Sequence, residues 1–161
     1  MDIEGRVRDA LALVPHELVP CDPDLADTAA FCAHYGYPME QSANTIVVAS
    51  RKPEGHNAAC VVLATTRLDV NMRVRGLLGV RKVSFASPDL TADITGMMMG
   101  GVTPFALPPA LPLWIDAAVM RCAWVIIGGG SRSLKVKLVP AHLASLPNAE
   151  VIDDLANAIA R

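Results

Sequence analysis

The chain has 161 residues, of which 52% are apolar and 19% charged, and its formal net charge is -2. That length suits one domain with a core of its own, and that balance excludes a disordered chain. An aromatic share of 4% leaves too few rings for base-by-base stacking on single-stranded nucleic acid, and the near-neutral charge provides no global pull on polyanions.

Taken in chain order, Ile3, Val7, Leu11 and Val14 recur at helical steps and predict an amphipathic helix from Ile3 to Val14, with Arg6, Arg8 and Asp9 on its other face. Asp22 before Pro23 is a cap followed by a first-turn proline, and Gly36 is a stop, so a helix is expected over Pro23 to Tyr35. NTIVVAS and NAACVVLATT read as two strands joined through the polar loop RKPEGH. DVNMRVRGLLGV predicts a short helix ended near Gly79, RKVSFAS a strand, and Ser87-Pro88 the start of a helix running to Thr95. PLWIDAAV, CAWVIIGGG and SLKVKLVP predict three more strands, the last with Leu134, Val136 and Leu138 on one face. PAHLASL and NAEVIDDLANAIA are expected to be helices. Helices and strands mix without regular βαβ alternation, which implies a single α+β domain over residues 1–161, a curved mixed β-sheet surrounded by helices.

The segment TGMMMGGVTPFALPP, from Thr95 to Pro109, continues into LPLWI as an uncharged run long enough to cross a bilayer. Pro104, Pro108, Pro109 and Pro112 fall inside it, with Gly96, Gly100 and Gly101. Each proline deletes a backbone donor that lipid cannot replace, so a membrane anchor is excluded and no membrane partner is expected. The start, MDIEGRVRDALALV, carries acids and helical spacing instead of a leader's uniform apolar run, so a cytoplasmic protein is expected. What remains is an irregular buried segment whose Gly100-Gly101 pair has two readings. Its bare amides can converge on an anion or a polarised carbonyl, or the pair can be a tight bend at a sheet edge. Gly128 to Gly130 present the same two readings, without a dinucleotide or phosphate-loop pattern.

Conventional catalytic sets are missing. His16, His34, His56 and His142 lack metal-ligand spacing, and Cys21, Cys32, Cys60 and Cys122 contain no C-x-x-C pair. There is no G-x-S-x-G elbow. Neither a metal nor a cofactor is expected, and chemistry built on backbone donors is what survives. Asp116, at the end of LWID, reads as a carboxylate in a cleft or as a turn cap, and Asn44 as a hydrogen-bonding group at a strand entrance or a turn residue. Asp153 and Asp154 read as solvated charge on the terminal helix. Met97, Met98 and Met99 read as core packing or as the shapers of a cavity. Arg67, Arg73, Arg75, Arg81 and Lys82 form one basic group and Arg132, Lys135 and Lys137 another. On a shared face they would meet a phosphate backbone, and otherwise they solvate the surface. No helix-turn-helix pattern supports a DNA partner.

In order, HYGYPMEQSANTIVVAS, the block S-P-D followed by G-x-x-x-G-G-V-T-P from Ser87 to Pro104, LWIDAAV, and IIGGGSRSLKVKL resemble the YbaK-like, prolyl-tRNA-synthetase-associated editing domains, from Asp22 to Leu146. The resemblance implies a single α+β domain that hydrolyses mischarged aminoacyl-tRNA without a metal, freestanding or attached to a synthetase. It implies that Gly100 and Gly101 line the pocket with backbone contacts to the ester, together with Thr103 and Pro104 of the same block. Gly128 and Gly129 would form the facing wall, Asp116 would close the strand beside the site, and Lys135 would contact substrate. Three departures stand out: Asn44 occupies the usual position of an activity-linked lysine, Lys135 that of an aspartate common in cysteine-specific members, and Val19 lies near a tyrosine position. Two functions are therefore expected in competition. One is a trans-acting deacylase with Gly100, Gly101 and Asn44 as its catalytic groups. The other is a non-catalytic module that binds aminoacyl-tRNA or an amino acid. In either case the partners are the acceptor end of aminoacyl-tRNA and an aminoacyl-tRNA synthetase.

Overall fold

Two runs of β-branched and small residues make the longest ladder. In a computed structural model that describes residues 2–159, β2 (Ala43–Lys52) pairs antiparallel with β3 (Glu54–Leu63). Most of RKPEGH is strand and not loop. The Ser50 hydroxyl accepts from His56 N at 2.9 Å and donates to Pro53 O, which holds the polar tip in a tight turn beside a bulge near Arg51. β5 (Lys82–Phe85) pairs with the second half of β2, while β6 (Leu113–Asp116) and β9 (Ala149–Ile152) add in parallel beyond β3, giving the order β5-β2-β3-β6-β9. The sheet is mixed, as expected.

Strand alternation sends Ala43, Val47, Ala59 and Val61 to one face and Val48, Ala58, Cys60 and Val62 to the other. The first face packs against α1 (Ile3–Ala10), the segment Met97 to Leu111, and a second sheet of β1 (Glu17–Pro20), β8 (Leu134–Leu138) and β7 (Val125–Gly128). The second face packs against the ribbon of β4 (Thr66–Leu68) and β10 (Ala156–Ala158), the π-helical turn Val70–Val74 and α3 (Arg75–Leu78). Burying each valine or leucine here contributes about 1.5–3 kcal/mol.

Several boundaries follow their sequence signals. Ser87 Oγ accepts from Leu90 N at 3.1 Å to open α4 (Pro88–Thr95), and Gly96 ends it at φ +74, a left-handed position that costs a residue with a Cβ. Others differ. α1 stops at Ala10, and Leu11 to Val14 wind as turns ahead of Pro15, which disfavours helix in the residue before it. The strand expected through PLWIDAAV ends at Asp116, and Ala117–Met120 turn as α5. PAHLASL yields the single turn α6 (Ala141–Ala144). The largest correction is NAEVIDDLANAIA, which forms β9 and β10 in place of a helix. The exposed edge of β6 offers unpaired main-chain groups that β9 satisfies, and Asp154 at φ 56 breaks any helical run between them. Tertiary pairing overrides local propensity there. No helix among the described residues is long and apolar enough to cross a membrane.

Candidate active site

The ladder between β5 and β2 begins at Val48, and Ala86 N donates to Val47 O at 2.9 Å. In an antiparallel strand the two main-chain groups of one residue point to one edge, and successive residues alternate. The N–H and C=O of Thr45 therefore face the same edge as those of Val47, past the end of the ladder. A cavity of about 250 Å³ opens along this stretch. Exposed Asp27 and Met99 and half-buried Thr28 stand at its rim, and buried Ala43, Gly128 and Lys135 form its floor.

One wall comes from a break in the helix expected over Pro23 to Tyr35. Asp22 caps a single 3₁₀ turn, Pro23–Leu25, the chain is extended at Asp27 (ψ 139), and α2 (Thr28–Tyr35) starts afterwards. The break releases Ala26 O from helical pairing, and Lys135 Nζ donates to it at 2.7 Å. Asp27 lies 3.2 Å from Arg132 Nη1, which also donates to Met99 O at 2.9 Å, while Arg132 Nε donates to Pro23 O at 3.0 Å. Arg132 thereby ties three segments of the rim together.

Lys135 is 7% exposed and contacts no carboxylate among the described residues, and its Nζ lies 5.3 Å from the Phe31 ring centroid. Burial pushes its ammonium below the ordinary lysine range; Cys21, Cys32 and Asp27 oppose that shift, and Arg132 adds to it. Asn44 is the neutral polar partner on β2. Its Oδ1 accepts from the Thr28 hydroxyl at 2.5 Å, which leaves Nδ2 as a donor at the cavity.

The glycines are explained mainly by close approach. Gly130 N donates to Gly101 O at 2.8 Å, a Cβ on Gly101 would lie 2.6 Å from the Ser131 carbonyl carbon, and one on Gly128 would lie 2.3 Å from Val102 O. Two loops meet backbone to backbone. This corrects the expectation that both amides of the pair face a substrate, because Gly101 N donates to Met98 O at 3.0 Å. Gly100, at φ +88, lines the cavity, and its N–H has no partner among the described residues.

Of the residues singled out from the sequence, the fold brings Gly100, Asn44, Gly128 and Lys135 together. Gly101, Gly129, Thr103, Pro104 and Asp116 do not line the cavity. Gly129 N is engaged by Leu134 O at 3.0 Å, and Thr103 and Pro104 are buried beneath the loop. The Asp116 carboxylate accepts from Leu155 N at 3.2 Å, and burial pushes its carboxyl up. Asp116 borders a separate depression with Arg121, Asp153 and Asp154. The site also includes residues no motif marked: Ala26, Asp27, Thr28 and Thr45. Asp27-Thr28 carried a usable signal, a second cap signature inside the expected helix. Met97 is core, 2% exposed, whereas Met99 shapes the rim. Arg132, Lys135 and Lys137 form no basic face: the first is ion-paired, the second buried, and Lys137 Nζ sits 4.3 Å from the Trp124 ring centroid. Lys82 lies instead beside Arg51 and Lys52 at the far end of β2.

Residues 22–146 match the family model described as the aminoacyl-tRNA editing domain. The uncharacterized protein YwhH of Bacillus subtilis (strain 168) is 29% identical over 125 residues, covering 73% of this chain and 79% of that protein. Among solved structures, a protein proposed as a trans-editing enzyme for prolyl tRNA synthetase aligns at TM-score 0.81 and 21% identity over 99% of both chains. The hypothetical protein APE2540 aligns at TM-score 0.83 and 25% identity, over 94% of this chain and 99% of that one.

Proposed function

Because this chain belongs to the aminoacyl-tRNA editing domain family, we propose that it is a trans-acting deacylase that hydrolyses the ester of mischarged aminoacyl-tRNA. The observation that carries the reading is the cavity at the open edge of β2, lined inside the matched region by Gly100, Thr45, Asn44 and Lys135. The ester sits at the rim because the tRNA cannot follow the acyl group into about 250 Å³. Water adds to the acyl carbon, negative charge builds on the carbonyl oxygen, and Gly100 N–H with Asn44 Nδ2 accepts that charge as hydrogen-bond donors. Collapse breaks the bond to the ribose oxygen, which takes up a proton, and a free amino acid and tRNA leave. No step is routed through a metal. A ribose hydroxyl leaves more readily than an amine, so oriented donors of this kind, worth about 3 kcal/mol each, suffice.

The test is a panel of mischarged tRNAs, including tRNAPro acylated with small amino acids, incubated with the protein alone. Release of amino acid from one of them supports the reading, and release from none removes it. A second reading has one specific observation behind it: Asn44 is neutral and held by Thr28. On that reading the protein binds aminoacyl-tRNA or an amino acid without turnover. Asn44→Lys separates the two, since a large gain in hydrolysis marks a lapsed site and no gain over a measurable native rate marks a site already built on other donors. A synthetase that hands over the tRNA is the partner this function calls for.

A further inference from the structure

The cavity has a charge order from rim to floor. Asp27, whose side chain is 74% exposed, places a carboxylate at the rim that is already paired with Arg132 Nη1 at 3.2 Å, whereas Lys135, 7% exposed, places an ammonium without a counter-ion at the floor. An ammonium has three protons to donate, and only Ala26 O takes one, at 2.7 Å. The Phe31 ring flanks it without neutralising it. A buried cation with no carboxylate beside it is half of an ion pair, and Lys135 is among the residues that line the cavity.

An acylated tRNA can enter in one orientation only, with the ester and the α-ammonium near the rim and the acyl side chain pointing inward. From this geometry we infer that Lys135 reads the far end of the acyl group, and that the site prefers a short side chain ending in an oxygen acceptor, a carboxylate ahead of a hydroxyl. The inference rests on the acyl-binding reading above and deepens it. An aspartyl ester is the complement of the cavity: its α-ammonium stays at the ion-paired rim and its carboxylate meets the basic floor. An alanyl group leaves the ammonium desolvated and without a partner, and a basic side chain meets like charge. The lowered pKa of Lys135 is consistent with a cation awaiting a counter-ion.

The test uses adenosines carrying aspartyl, seryl or alanyl groups through a 3′-amide, which have no ester to lose, titrated calorimetrically into the full chain and into Lys135→Met. The expected result is aspartyl binding at least tenfold tighter than alanyl, seryl between them, and a flattened series in Lys135→Met. Alanyl binding as tightly as aspartyl overturns the inference, as does an aspartyl preference that survives in the variant. An apolar side chain of similar length replaces the buried charge without leaving another unpaired. Should Lys135→Met nevertheless fail to fold, the wild-type series decides by itself. Binding of all three analogues without order removes this inference alone, whereas binding of none removes the acyl-site reading with it.

Discussion

Along β2, the stretch from Asn44 to Ile46 has no strand on its outer edge, lying between the bridge that joins Ser42 to Ile126 of β7 and the bond from Ala86 N to Val47 O, whereas the half from Val48 to Lys52 is paired with β5. The unpaired stretch is flanked by the Asp27 segment, the Gly100 loop and Gly128, and the result is an open cleft of about 250 Å³ lined by a buried lysine. The paired half borders a larger depression, about 600 Å³, carrying Arg51, Lys52 and Lys82, with Phe85 and Leu90 exposed beside them. One strand thus supplies a receptor where its main chain is left free and a charged face where it is not. Main-chain pairing, more than residue type, separates the two, because a ladder consumes the donors that a ligand would otherwise meet.

The sharpest way to break this contrast is to add one methyl group at each end. Gly128→Ala forces a Cβ to 2.3 Å from Val102 O, backbone that cannot move away, and is expected to cost about 3 kcal/mol and to abolish deacylation. Gly55→Ala at the hairpin tip meets no atom within 4 Å and suffers only its φ of +96, at about 1–2 kcal/mol. Denaturant midpoints compare them, and equal losses would contradict close backbone packing at one end alone. Next comes Asn44→Ala, which removes the donor proposed to stabilise charge and is expected to lower kcat/KM about 100-fold with little change in Tm. A fall in Tm matching the fall in rate would assign Asn44 to stability.

Smaller effects are expected at the basic end. Seven residues of extended chain separate Thr45 from Lys52, roughly 23 Å, so the two ends are suited to different parts of one tRNA. Lys52→Ala with Lys82→Ala is expected to weaken tRNA binding about tenfold and to lower its salt slope by about 2. Hydrolysis of a minimal aminoacyl-adenosine stays unchanged. Equal slowing on both substrates would erase the division of labour.

The smallest effect is one of pH. Burial holds Lys135 below its ordinary 10.5. Between the lowered value and 10.5 the unfolded chain keeps a proton that the folded chain has released, so stability rises with pH through that window. Lys135→Met lacks this dependence. Its stability advantage over the wild type is therefore expected to shrink as pH rises toward 10.5, read from urea midpoints. A constant gap would show that the buried ammonium costs nothing.

How much of this was legible in the sequence follows from how local each determinant is. Ser87-Pro88, Gly36, Gly79 and Gly96 are caps and stops acting on their own turns, and each sits where expected. The segment Ala149 to Ala158 was misread because its strands exist only through β6 and β4, partners far away in the chain. β1 was missed for the same reason, since Glu17 to Pro20 owe their conformation to β8. In the site, Gly100, Asn44, Gly128 and Lys135 carried motif-level signals. Thr45 did not, because its role comes from where the ladder of a neighbouring strand ends. Asp116 was drawn toward the site by its place at a strand end, yet that end faces Leu155. Gly101 was read as a donor when its lack of a side chain serves the contact with Ser131.

The central claim is that the free edge of β2 receives the acylated end of the substrate, and backbone amide NMR tests it most directly. Titration with an amide-linked aminoacyl adenosine is predicted to shift the amides of Thr45 and Gly100 while leaving those of Gly101 and Leu155, already engaged by Met98 O and Asp116 Oδ1, in place. Shifts confined to the Asp116 depression or to the end of the β2–β5 ladder around Lys52 and Lys82, with Thr45 and Gly100 unmoved, would contradict it.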